Sequence, residues 1–151
     1  MDVSTVETVG VVGAGTMGHG IAQVAATAGY DVVLTDVDAD ALDRGLAGID
    51  DSLDRLVERE TMTREAADAA RERVSGATDL DALAPADVAV EAVVEDRSVK
   101  QSVFAALDAI LADDAVLATN TSTLSITTIA SATDRPDLVV GLHFMNPVPI
   151  M

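Results

Sequence analysis

The chain has 151 residues, with 26 acidic against 9 basic side chains, a formal net charge of −17, 49% hydrophobic residues and no cysteine. That length suits one domain with a core, the apolar fraction excludes a disordered acidic tail, and the missing thiols exclude a disulfide scaffold or a thiolate zinc site. The acidity argues against holding a nucleic-acid backbone or an anionic membrane by charge, and two histidines, His19 and His143, are too few for an imidazole metal cluster.

In chain order, residues 6–12 are rich in β-branched side chains and run straight into glycines, the pattern of a buried strand. Residues 16–28 turn to small helix formers and stop at Gly29, suited to the left-handed position after a helix. A second strand is expected at 31–35, ending at Asp36. Residues 38–74 carry helical spacing through Leu42, Leu46, Ile49, Leu53 and Leu56. Thr61-Met62-Thr63 interrupts it, and Thr63 is the expected cap of a second helix. A third strand follows at 87–94 and an amphipathic helix at 98–111, through Val99, Val103, Phe104, Leu107 and Ile110. A strand at 115–118, a short helix at 126–130 and a strand at 138–142 complete the series.

Strands separated by helices imply a parallel sheet, because parallel neighbours need crossovers, and valine runs suit strands covered on both faces. The expected fold is one α/β domain over residues 1–151: a doubly wound, mostly parallel Rossmann sheet with a long helical arm between strands two and three. Ligands of such sheets sit beyond the carboxyl ends of the strands, so the residues there carry the functional reading.

The first strand ends in Gly13-Ala14-Gly15-Thr16-Met17-Gly18, a G-x-G-x-x-G run between a strand and a helix. Gly13 permits a tight turn, Gly15 leaves room for a pyrophosphate, Gly18 lets helix and strand approach, and the helix N-terminus aims free N–H groups at the anion. Asp36, 18 residues beyond Gly18, ends the second strand, where a carboxylate accepts from both ribose hydroxyls and repels a 2′-phosphate. NAD is therefore expected over NADP. His19 is expected to be an exposed helix residue, since the N–H groups already serve the anion.

Later strand ends place Glu95, Lys100, Ser122 and His143 on the same rim. His143 is the candidate base, because imidazole titrates near neutral pH and suits removal of an alcohol proton as hydride leaves. Ser122 is the candidate donor to the substrate oxygen. Two prolines after Asn146 are expected to fix an extended backbone against the site.

GVVGAGTMGHGIAQVAATAGYDVVLTD, VAVEAVVED, NTSTLSIT and GLHFMNPVPIM together resemble the nucleotide-binding half of the 3-hydroxyacyl-CoA dehydrogenases. The resemblance covers essentially the whole chain. It implies that His143 is the catalytic base, that Ser122 contacts the substrate oxygen and the cofactor, and that Glu95, Lys100 and Asn146 line the nicotinamide side. It also implies that Asp36 binds the ribose and that Ser52 and Arg59, on the helical arm, contact coenzyme A, with Arg59 standing where the family has a lysine. The implied reaction is oxidation of a 3-hydroxyacyl-CoA by NAD, in fatty-acid β-oxidation or butanoate-type metabolism. A sibling dehydrogenase of carnitine or a sugar acid, and a catalytically silent NAD-binding module, are the alternatives.

In that family a downstream glutamate orients the histidine, and a helical domain closes the cleft and forms the homodimer. The sequence stops at Met151, eight residues after His143, so the helical domain is absent and the chain alone is expected to bind NAD but turn over weakly. The single lysine among many acids resembles a surface adapted to high salt. Residues 1–5 lack a basic secretory region and no apolar run reaches the ~20 residues of a membrane span, so a cytoplasmic protein is expected.

Overall fold

A computed structural model describes residues 2–151. Six parallel strands, β1 (Thr8–Val12), β2 (Asp31–Thr35), β3 (Val74–Ala77), β4 (Val88–Glu91), β5 (Val116–Thr119) and β6 (Val139–Gly141), form one sheet in the order β3-β2-β1-β4-β5-β6. The order reverses between β1 and β4, so a crevice opens at the carboxyl ends of those two strands. Helices α1 (Thr16–Thr27), α2 (Ala39–Glu58) and α3 (Arg64–Glu72) precede β3, while α4 (Arg97–Ile110) and α5 (Ile126–Ala130) connect β4, β5 and β6.

Both faces of the sheet are packed, as its valine runs require. Val9, Val11 and Leu34 point into a core with Ile21, Ala22, Ile49 and Leu53 of α1 and α2. Val12, Ala89 and Leu117 point into a second core with Leu83, Phe104, Leu107 and Ile129. At about 25 cal/mol per Å² of apolar area removed from water, fully buried side chains such as Phe104 and Leu53 anchor the crossovers.

The helical arm is a hairpin clasped by charge. Arg71 of α3 donates to Asp50 and Asp54 of α2, and Arg64 donates to Asp54. These contacts hold the Asp54 carboxyl below, and the Arg71 guanidinium above, their ordinary values. Thr63 caps α3 as expected, its hydroxyl accepting from the Ala66 N–H at 3.1 Å.

Four elements differ from the sequence reading, one of them the strand expected at 87–94, which stops at Glu91 so that residues 92–95 form a loop. The first strand starts at Thr8 rather than Val6, because residues Val3–Thr5 form a 3-10 turn capped by Asp2. The arm does follow strand two, but it leads into an unforeseen edge strand, β3, so the strand expected third is the fourth. The chain after Asn146 is not extended: Asn146–Pro147 is cis and Val148–Ile150 makes a 3-10 turn. That turn seats Val148 against α1, where a Cβ on Gly20 would lie 3.0 Å from the Val148 Cβ.

Candidate functional site

The site begins at the glycine turn after β1. Gly13 has φ +100°, and its N–H donates to the Thr35 carbonyl at 2.8 Å, fastening the turn to β2. A Cβ on Gly18 would lie 1.6 Å from the Gly13 carbonyl oxygen, so only glycine lets α1 start this close to the strand. At Gly15 the reverse holds: a Cβ would meet no atom within 4 Å. Helix α1 starts at Thr16 with no side-chain cap, leaving the N–H groups of its first turn, which includes Met17 and Gly18, aimed past Gly15 into open space.

Asp36 continues the site. One carboxylate oxygen accepts the Ala14 N–H and the other the Asp38 N–H, each at 2.9 Å, which ties the acid to the glycine turn. Each oxygen retains a lone pair for a further donor. A cleft of about 410 Å³ runs from Gly13, Gly15 and Asp36 between Val37, Leu80, Val99 and Val103, an apolar slot with an acid at its mouth. An adenosine fits this chemistry, base in the slot and diol on Asp36, with the uncapped helix end left for the diphosphate.

The other strand ends are stitched together beside it. The Ala92 N–H donates to the Val12 carbonyl, the Asn120 N–H to Glu91 and the Leu142 N–H to Thr119, carrying the sheet ladder one residue past each strand. The Asn120 side-chain oxygen accepts the Phe144 N–H at 2.8 Å, holding the segment that bears His143. His143 and Ser122 then meet, Nε2 to Oγ at 3.0 Å, with both side chains exposed. Glu95 is also exposed, its carboxylate accepting from the Thr121 hydroxyl.

Lys100 does not stand on the open rim. It is 1% exposed, its ammonium donating to Glu91 at 2.6 Å and to the Val93 carbonyl at 3.3 Å. An ammonium under the loop finds a buried carboxylate there, and the pair is cheaper to bury than either charge alone. His19 is likewise not an exposed helix residue: its ring packs on α2, where a Cβ on Gly48 would come within 3.0 Å of Nε2.

Ser52 and Arg59 line one cleft of about 240 Å³ between α1, α2 and the last loop, together with Arg55 and Asn146. Sequence reasoning gave Arg55 no role, although its place four residues before Arg59 sets both on one helix face. Glu91, Asn120 and Thr121 were also missed as organisers of the site. The signal was an acid inside an otherwise apolar strand.

Among the described residues no group of His, Cys, Asp and Glu is placed to hold a metal ion, and no helix is long and apolar enough to cross a membrane.

A glycine turn opening a helix, an acid at the end of β2 and a crevice at the switch point define an NAD-binding domain of Rossmann type. The family described as 3-hydroxyacyl-CoA dehydrogenase, NAD binding domain, matches residues 8–151, and the chain belongs to it. It is 49% identical over 148 residues to 3-hydroxybutyryl-CoA dehydrogenase of Bradyrhizobium diazoefficiens, covering 98% of this chain and 50% of that protein. It is 45% identical to 3-hydroxyadipyl-CoA dehydrogenase of Escherichia coli, covering 97% of this chain and 31% of that protein. Among solved structures, (S)-3-hydroxybutyryl-CoA dehydrogenase from Ralstonia eutropha superposes with a TM-score of 0.94 at 41% identity, over 97% of this chain and 52% of the other. The chain thus spans about half the length, or less, of the relatives it matches.

Proposed function

We propose that the chain is the NAD-binding half of a dehydrogenase that oxidises the 3-hydroxyl of a 3-hydroxyacyl-CoA to a ketone. The observation that carries this reading is the Ser122–His143 pair, 3.0 Å apart on the sheet edge that also carries the glycine turn.

NAD, when bound, supplies the hydride acceptor. Gly15, Thr16, Met17 and Gly18 would hold its pyrophosphate through N–H groups in a turn that Gly13 shapes, Asp36 would take the adenosine diol, and Glu95 and Asn146 would face the nicotinamide half. His143 takes the proton of the substrate hydroxyl, and Ser122 donates to the same oxygen as it becomes a carbonyl. Ser52 and Arg59 receive the coenzyme A portion; their sharing a cleft with Asn146 supports that assignment, since it joins the arm to the reacting end.

The whole protein would work in the cytoplasm as a homodimer through a second, helical half of the kind its longer relatives have room for. A nucleotide-binding domain assayed by itself is expected to bind NAD and turn over slowly, because water in an unclosed site weakens electrostatic stabilisation. Calorimetry with NAD, followed by acetoacetyl-CoA-dependent oxidation of NADH, tests this. NAD binding with trace turnover is expected. Absence of NAD binding by folded protein contradicts the cofactor assignment, and turnover at an ordinary enzyme rate contradicts the need for a second half.

A further inference from the structure

A charged pair lies fully buried between the adenosine slot and the Ser122–His143 pair. Glu91, the last residue of β4, is 0% exposed and Lys100, on the first turn of α4, is 1% exposed. One Glu91 oxygen accepts from the Lys100 ammonium at 2.6 Å and from the Val93 N–H at 2.7 Å. The other accepts from the Thr119 hydroxyl at 2.7 Å, and Thr119 in turn accepts the Thr121 N–H at 3.2 Å. Lys100 also reaches the Val93 carbonyl. Two strand-end loops, after β4 and after β5, are thus fastened to one carboxylate.

Packing alone does not call for this arrangement. Taking two charges out of water is costly, and apolar side chains of similar volume would fill the space at least as well. What the pair supplies is shape. It grips both the N–H and, through Lys100, the carbonyl of Val93, fixing the backbone of residues 92–95. That loop is the wall between the two halves of the site. The Ala92 carbonyl would lie 2.8 Å from a Cβ on Gly13, Val93 and Val94 line the slot, and Glu95 meets Thr121 beside Ser122.

We infer that Glu91 and Lys100 are a positioning pair that sets the loop 92–95 and the Thr119–Thr121 turn chiefly to receive the nicotinamide half of NAD, the adenosine half being held also by Asp36 and the glycine turn. The inference rests on the NAD site proposed above. It assigns Lys100 an action through Glu91 and Val93, and it gives Glu91 a function.

Glu91→Gln, Thr119→Val and the charge-free double variant Glu91→Gln/Lys100→Met test it, with NADH and ADP-ribose titrated against each. Positioning of the nicotinamide half predicts NADH affinity at least about tenfold weaker in the charge variants, against a loss of about threefold or less for ADP-ribose, whose slot Val93 and Val94 also line. Thr119→Val, which keeps the ion pair, loses less in the same direction and serves if Glu91→Gln does not fold. Equal losses for both ligands overturn the inference, because the pair is then only structural, and so does unchanged NADH affinity in the double variant. Failure of the unsubstituted chain to bind either ligand is a separate result that removes the NAD site itself.

Discussion

The Oγ of Ser122 and the Nε2 of His143 lie 3.0 Å apart although 21 residues separate them in sequence. They meet because β5 and β6 are parallel neighbours, so their end loops leave the sheet side by side, and because Asn120 holds the Phe144 N–H. Neither side chain is buried, so the pair is available to a substrate. In the full-length enzyme, His143→Ala is expected to lower the rate of acetoacetyl-CoA-dependent NADH oxidation by about 10²–10⁴-fold, and Ser122→Ala by about 10²–10³-fold. The double variant should be little worse than His143→Ala, because residues acting as a unit do not add. Thermal unfolding of all three should match the unsubstituted protein.

Gly15 and Gly18 should separate binding from folding. Gly15→Ala adds a methyl where no protein atom stands, so the melting temperature is retained while NAD affinity falls at least about tenfold as the pyrophosphate loses its approach. Gly18→Ala sets a carbon 1.6 Å from the Gly13 carbonyl oxygen and should cost about 2–4 kcal/mol or prevent folding. Paired melting and calorimetric curves check both.

Acid should loosen the start of the sheet. The Asp87 carboxylate accepts the N–H groups of Thr8 and Glu7, both at 2.9 Å, which holds its pKa below the ordinary 3.8. Because the unfolded chain then binds the proton more readily, this stabilisation is complete above the unfolded pKa and is lost as pH falls through the folded one. Asp87→Asn should cost about 1 kcal/mol at pH 7, with the difference from the unsubstituted protein vanishing in acid. Urea melts at pH 7 and at low pH read this directly.

The legible part of this fold was its local grammar. A valine run into Gly13, the Thr63 cap and the five residues of α5 all announce themselves within a few positions. β3 did not, because an edge strand with one neighbour needs no apolar run; its Gly76 is there so that Leu46 of α2 can close over it. Lys100 was misplaced for the opposite reason. A lysine on a first helical turn is ordinarily solvated, and only Glu91, nine residues earlier and buried by β5, draws it inward. The segment after Asn146 depends on Gly20 in α1, far back in the chain, which provides the seat for Val148. In each case the missing term was a partner distant in sequence or on another element.

The net charge of −17 should make stability depend on salt. Arg71 is shared among Asp50, Asp54 and Asp68, with Arg64 also on Asp54, while Asp79, Asp81, Asp113 and Asp114 face solvent. Raising KCl from about 0.1 M to about 2 M shortens the screening length below the spacing of such charges and should lift the melting temperature by about 5 °C or more. A flat or falling curve would contradict salt adaptation.

The central claim is that the glycine turn takes a pyrophosphate while Asp36 takes an unphosphorylated ribose. Calorimetric titration of the folded chain with NAD and NADP, repeated on Asp36→Ser, tests it most directly. The account predicts NAD binding at least about tenfold tighter than NADP, with the preference largely abolished in Asp36→Ser through lost NAD affinity. Equal affinity for the two dinucleotides in the unsubstituted chain, or an unaltered preference in Asp36→Ser, would contradict it.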